Sequence, residues 1–310
     1  MKRKRVPKYF KERTRVWKNQ TVKEIMNELG KAGFSAKRLS EAATIYKKML
    51  QDKKCFKFLT AAGALIAGGM RNTFIAAINN QLVDALVITG GSIATHDLIE
   101  AFGIKHKPGS AYANDIELSK KNIDRIYNVF LPNKGFLIFE KEIQKILKKM
   151  PQKEMSPQEF FYELGKHIKD KNSIIRACYE KNIPIFCPSF TDSILGFQVW
   201  MYSQNHSLKV NPQLDIRDFF KVVWVKNRTY GALILGGGVP KHFVAAMMQV
   251  TGYSLDYAIQ ITMDRPEHGG VSGASLKEAK SWKKVSAKAL TTDVMCDITV
   301  AFPLIIASLL

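Results

Sequence analysis

The apolar positions of this chain follow two rhythms. Val22, Ile25, Met26 and Leu29 recur at helical spacing, and residues 40–50 repeat that amphipathic pattern. Then the rhythm changes to short, continuous apolar runs of strand length: residues 56–59, ALVIT (85–89), IPIFC (183–187), GALIL (231–235), 257–262 and 294–296. Helical patterns separate them: one from the small-residue turn 60–64 through Met70 towards Asn80, others at 141–150, 157–168, 194–202 and 302–310. Ser156 and Glu159 form the S-x-x-E signature of a capping box ahead of the 157–168 helix. Residues 105–121 read as a polar loop over one face of the sheet, and IDRIYNVFLP (123–132) as one strand with its entry. At least five strand–turn–helix units alternate. That order predicts a single α/β domain, its mostly parallel sheet covered by helices on both faces, with a helical N-terminal extension. Strand order is not legible in this pattern.

Chemistry gathers where strands end. ALVIT closes on Thr89, Gly90, Gly91 and Ser92, and His96, Asp97, Ile99 and Glu100 open the next helix. Gly63 and Ala64 follow the first strand; Gly236, Gly237 and Gly238 follow GALIL and lead into Val239, Pro240, Lys241 and His242. Strand, glycine turn, helix is how parallel sheets bring phosphate to a helix N-terminus, although G-x-G-x-x-G itself is absent.

A further stretch, GGVSGASLKEAKSWKK (269–284), starts with a flexible glycine turn at Gly269. Glu278 and Trp282 then fall one helical turn apart, ahead of Lys283 and Lys284. A carboxylate, an indole face and a lysine suit an organic amine: the first two hold the cation, and an uncharged lysine can form a Schiff base.

Composition narrows the class. In 310 residues, 46% hydrophobic and 24% charged content is that of a globular protein. Cys55, Cys178, Cys187 and Cys296 are widely spaced without a C-x-x-C pair, which fits reduced thiols and a cytoplasmic setting. No signal peptide is expected, and the most apolar runs, 58–70 and 300–310, are too short to span a bilayer. The six histidines lack metal-ligand spacing, so no metal is expected. The net charge of +20 attracts anionic cofactors or nucleic acid, though a lysine-rich surface gives the same balance with no partner. Its densest cluster, with Tyr9, Phe10 and Trp17 interleaved, lies in residues 1–18, an expected basic arm ahead of a domain spanning 19–310.

These segments together resemble the deoxyhypusine synthases. The resemblance is carried by HDLIEAFG (96–103), IDRIYNVFLP (123–132), IPIFCPSFTD (183–192), LGGGVPKH (235–242), the GGVSGA…EAKSWKK run and VAFPLIIA (300–307), in the family's order. It implies a Rossmann-like, homotetrameric enzyme with sites at subunit interfaces. Such an enzyme uses NAD to transfer the aminobutyl group of spermidine to one lysine of the translation factor 5A precursor. By the same resemblance Lys284 is the nucleophile, His242 the proton acceptor and amine contact, and Glu278, Trp282 and Gly269 further amine contacts. Gly63, Ala64, Thr89, Gly90, Gly91, His96, Asp192, Gly237, Asp264, Asp297 and Ile298 fall at cofactor positions. The chain departs from the family pattern at four places. Lys283 replaces a glycine, Phe197 and Val271 replace aspartates that grip the amine, and His268 replaces an acid near the cofactor. The departures keep two alternatives open: the same chemistry on another amine (agmatine as donor, or putrescine as acceptor), and an inactive, basic nucleic-acid-binding scaffold.

Overall fold

The computed structural model describes residues 13–310; residues 1–12 of the expected arm lie outside the described residues. The remainder of that arm reaches the first helix, where the Arg15 amide donates to Glu28 Oε2 at 3.0 Å. Helix α1 (Val22–Leu29) starts in a capping box between Thr21 and Glu24, and α2 (Phe34–Gln51) begins earlier than its apolar stripe suggested.

Then come β1 (Cys55–Ala61), α3 (Arg71–Asn79), β2 (Ala85–Thr89) and α4 (His96–Ala101). A peripheral unit follows, made of β3 (Lys107–Pro108), α5 (Asp115–Lys120), β4 (Ile123–Ile126) and β5 (Val129–Pro132). After α6 (Lys134–Leu147) the chain runs through β6 (Glu154–Met155), α7 (Pro157–His167), α8 (Ile174–Glu180) and β7 (Ile185–Ser189). It continues with α9 (Ile194–Ser203), β8 (Lys209–Val210), α10 (Leu214–Val223), β9 (Thr229–Leu235) and α11 (Gly238–Val250). It closes with β10 (Leu255–Thr262), α12 (Leu276–Ser281), β11 (Val285–Met295) and α13 (Ile298–Leu309).

Six strands form one sheet in the order β11-β10-β9-β1-β2-β7, and every pairing in it is parallel. Numbered along the sheet's own strands this is 3-2-1-4-5-6, the doubly wound dinucleotide-binding order. The order reverses between β1 and β9, which places a crevice beyond the C-terminal ends of those two strands.

Both faces of the sheet are apolar, which explains why its strands read as continuous runs. Leu59, Ala61, Leu86, Ile88, Leu233, Leu235, Ile259 and Ile261 join the core beneath α2, α3 and α13. Their alternating neighbours Phe58, Ala85, Val87, Ala232, Ile234 and Ala258 face Phe219, Val244, Met248 and Leu276 of α10, α11 and α12. Each fully buried Leu, Ile or Phe adds roughly 1.5–3 kcal/mol, and the burial recurs on both faces. Cys55, Cys178 and Cys187 are buried and unbridged.

The α/β, helix-covered, mostly parallel reading therefore stands, with local corrections. The helix expected to run through Met70 begins at Arg71, because residues 62–70 form an irregular turn in which Gly63 and Gly69 adopt positive φ. The 123–132 segment is a hairpin outside the main sheet, turning at Tyr127, whose φ is 51°. The expected loop at 105–121 contains β3 and α5, the latter capped by Asn114. Helices α8 and α10 went unassigned in the sequence, and β11 is far longer than residues 294–296. Among the described residues, no helix is long and apolar enough to cross a membrane.

Candidate active site

The crevice at the order reversal is built by close backbone approach. Gly236, at φ 82°, follows β9 and lies against the Ala62 carbonyl and Ile298. Gly237 is hemmed in from the other side, since a Cβ there would sit 2.3 Å from Ser272 Cα. The glycine-rich turn after residue 269 thus packs directly onto the loop that opens α11. Gly273 is equally tight against the Arg265 carbonyl, and Gly269, at φ 72°, closes the turn before it.

Asp264, just past β10, ties that turn together. It accepts hydrogen bonds from the Ser272 hydroxyl, from His268 Nδ1 at 2.6 Å and from the Arg265 amide at 2.8 Å. Those three donors, Ser272 first, hold its carboxyl down at about 2. His268 is therefore a partner of Asp264 within the chain.

Lys241 completes the clamp and was missed in the sequence. It is 6% exposed, and its Nζ donates to the carbonyls of Val271 at 2.8 Å and Ala274 at 2.5 Å. Burial pulls its ammonium down to about 8, against the opposing carboxylates of Asp293 and Glu278. A lysine beside VPKH reads in sequence as one more surface cation; only the fold buries it.

From this anchored turn Ser275 caps α12, its hydroxyl accepting the Glu278 amide. The helix ends at Trp282, which is 55% exposed, and Lys284 Nζ stands over the Trp282 ring at 5.0 Å. Glu278 on α12 and His242 near the start of α11 are both exposed. An ammonium over an indole with a carboxylate one turn earlier is an arrangement for a cationic amine. Val271 of the turn is 42% exposed, so an apolar side chain borders this region.

The expected cofactor residues fall in two groups on the C-terminal side of the sheet. Gly63, at φ 88°, and Ala64 leave β1, while Asp297 caps α13 through Oδ1, taken by the Thr299 amide and hydroxyl. Ala64, Gly68, Gly69 and Asp297 line a cavity of about 580 Å³. The second group lies beyond β2. Thr89 bonds Ser92 at 2.7 Å, Gly90 is pressed against Ser193, and Gly91 faces the Asp192 carbonyl. His96 begins α4 behind this turn. The structure joins Gly237, Asp264 and Gly269 to the Lys284 region, and Ala64 and Asp297 to the cavity. It does not put Lys284 in that cavity. No cluster of potential metal ligands occurs among the described residues.

Comparison with known proteins agrees with this architecture. The deoxyhypusine synthase family model matches residues 24–309. The chain is 41% identical over 290 residues to "probable deoxyhypusine synthase 1" of Methanosarcina acetivorans, covering 94% of this chain and 91% of that one. It is 37% identical over 299 residues to a "deoxyhypusine synthase-like protein" of Chlorobaculum parvum, covering 92% and 85%. The crystal structure of a "putative deoxyhypusine synthase" from Entamoeba histolytica superposes with a TM-score of 0.60 at 21% identity, covering 92% and 91% of the two chains.

Proposed function

This chain belongs to the deoxyhypusine synthase family of transferases, and from that premise we propose that it transfers the aminobutyl group of spermidine to a lysine of the translation factor 5A precursor, with NAD as cofactor. The observation carrying the reading is Lys284 Nζ, 5.0 Å over the Trp282 ring, just beyond a helix whose preceding turn packs on the glycine loop at the sheet's reversal point.

In this reading the Trp282 face and the Glu278 carboxylate receive the donor's ammonium. His242 takes a proton from the donor nitrogen. The Lys284 amine attacks the oxidised carbon, expels the diaminopropane half and keeps the butylamine fragment as a Schiff base until the acceptor lysine displaces it. The crevice fits a dinucleotide: Gly63 has open space where a Cβ would stand, and a 580 Å³ cavity is within the usual ligand range. Gly63, Ala64, Gly237, Asp297 and Ile298 would hold one part of NAD and Thr89, Gly90, Gly91, His96 and Asp192 another, with Asp264 steadying the turn beside them. NAD, when bound, supplies the hydride acceptor and later the hydride donor. The family resemblance adds a homotetramer whose sites lie between subunits. A cytoplasmic setting suits buried free thiols.

A second reading, with agmatine as donor or putrescine as acceptor, is favoured by Val271 and Phe197. These exposed apolar side chains stand where the resemblance leads one to expect carboxylates. Borohydride trapping with NAD and labelled spermidine, agmatine or putrescine tests both. Wild type is expected to retain label covalently and Lys284→Arg to lose it. Label persisting on Lys284→Arg would remove the lysine from its role.

A further inference from the structure

Beside the cavity a chain of polar side chains runs from His96 through His106 to Glu100, the last two without a role in the reaction described above. Glu100 Oε1 lies 2.8 Å from His106 Nδ1, and His106 Nε2 lies 2.8 Å from His96 Nδ1. Glu100 and His106 line the cavity, and the His106 side chain is only 4% exposed. The two rings sit 4.9 Å apart at 40°. Behind them Arg71, 4% exposed, approaches Glu100 at 3.7 Å while bonding Asp97 at 2.7 Å and Asp170 at 2.9 Å. Lys105 reaches Glu100 at 3.8 Å, and Lys107 and Asp297 line the same cavity.

With His106 neutral, as at a pH above its titration, hydrogen-bond accounting leaves this chain one arrangement. Burial works against an ionised Glu100, but the bond from His106 and the nearby Arg71 and Lys105 outweigh it and keep the carboxyl below its ordinary range. An ionised carboxylate only accepts, so His106 must carry its proton on Nδ1. A neutral His106 then offers a lone pair at Nε2, which must accept a proton held on His96 Nδ1. Nε2 of His96 is left bare.

We propose that Glu100 and His106 are positioning residues that lock His96 in its Nδ1–H tautomer, so that His96 Nε2 accepts a hydrogen bond from a ligand N–H at the glycine turn after β2. The inference rests on the proposed function for the identity of that ligand, which is an N–H of either the cofactor carboxamide or the donor amine. The tautomer itself does not depend on that reading. Burial above all pulls His96 down to about 4, so its ring is neutral at neutral pH. Were His96 to gain a proton from a ligand, the charge would face Glu100 through His106, as in carboxylate–imidazole pairs generally.

The test is nitrogen-15 correlation spectroscopy on histidine-labelled full-length protein, followed by binding. His96 is expected to show a protonated Nδ1 and a bare Nε2 at pH 8, and to lose that preference in His106→Phe. A protonated Nε2 in wild type, or ordinary titration near pH 6.5, would overturn the proposal. His96→Phe is expected to weaken binding of either NAD or the amine about tenfold, the arm affected identifying the N–H source; unchanged affinity for both would also overturn it. Label surviving on Lys284→Arg would sink the transferase mechanism while leaving the tautomer result intact.

Discussion

Lys241 Nζ lies 2.8 Å from the Val271 carbonyl, so a buried cation on α11 holds the glycine-rich turn that precedes the Trp282 helix. Lys241→Met removes both N–H donors and leaves the carbonyls of Val271 and Ala274 without them, each loss costing roughly 1–3 kcal/mol. The expected result is a lower melting temperature and a larger loss in kcat/KM for the amine than for NAD. The variant also changes the pH dependence of stability. The folded lysine titrates near 8 instead of 10.5, so between those pH values the unfolded chain holds more protons. Wild-type stability therefore gains up to about 1.4 kcal/mol per pH unit in that window relative to Lys241→Met. The clamp survives the titration, because a neutral amine still has two hydrogens for two carbonyls. Parallel urea melts of both proteins from pH 7.5 to 10.5 check this; identical slopes would refute it.

Lys283 has φ 57°, a left-handed conformation just after α12, with the Lys284 amide reaching back to the Ala279 carbonyl at 3.1 Å. Glycine is the residue that suits such a helix end. Lys283→Gly is expected to stabilise the fold by about 1 kcal/mol, since a side chain in this region costs roughly 1–2 kcal/mol and glycine's extra unfolded-state freedom offsets part of it. Activity should change little, because the Lys283 side chain points to solvent. Thermal melts and steady-state kinetics decide the matter; destabilisation, or a large loss of kcat, would contradict it.

Asp97 is fully buried and accepts from Arg71 Nε, the Ser173 hydroxyl and the amides of Ile174 and Ile175. It pins α4 to the start of α8 and fixes the arginine behind Glu100. Asp97→Ala strands Arg71 and should cost about 3–5 kcal/mol, a penalty typical of halving a buried ion pair. Denaturant melts would show it as a midpoint shift. A shift worth under 1 kcal/mol would mean that Asp170 alone satisfies the arginine.

The sheet was legible because both its faces are covered: a strand buried on two sides must be a continuous apolar run, as Ala85–Thr89 and Thr229–Leu235 are. The strand order was not, since every parallel sheet shows the same runs and only the pairing of Cys55–Ala61 with Thr229–Leu235 creates the reversal. Helices with weak start signals escaped notice, such as α10, whose Gln213 makes no side-chain capping bond. At the site, Gly237 stood out as part of a glycine turn after a strand, and Asp264 only through the family resemblance. Lys241 and His106 did not, because their significance comes from burial and from partners distant in sequence.

Phe197 and Val271 offer the most direct test of which amine this site takes. Phe197 is 51% exposed and stacks on Trp200 at 5.7 Å, and Val271 is 42% exposed, so neither is fixed by the core. A protein of net charge +20 repels a polycation unless local carboxylates compensate, and these two positions contribute none. Val271→Asp and Phe197→Asp should therefore lower KM for spermidine more than for a monocationic amine, by about tenfold each if a desolvated charge contact worth roughly 1.4 kcal/mol forms. Because both side chains are exposed, melting temperature should hold within the range of ordinary surface changes, about 0.5 kcal/mol. The effect should shrink as salt is raised, since it is electrostatic. Equal changes in KM for spermidine and the monocation, at low and high salt alike, would show that these positions do not select the donor.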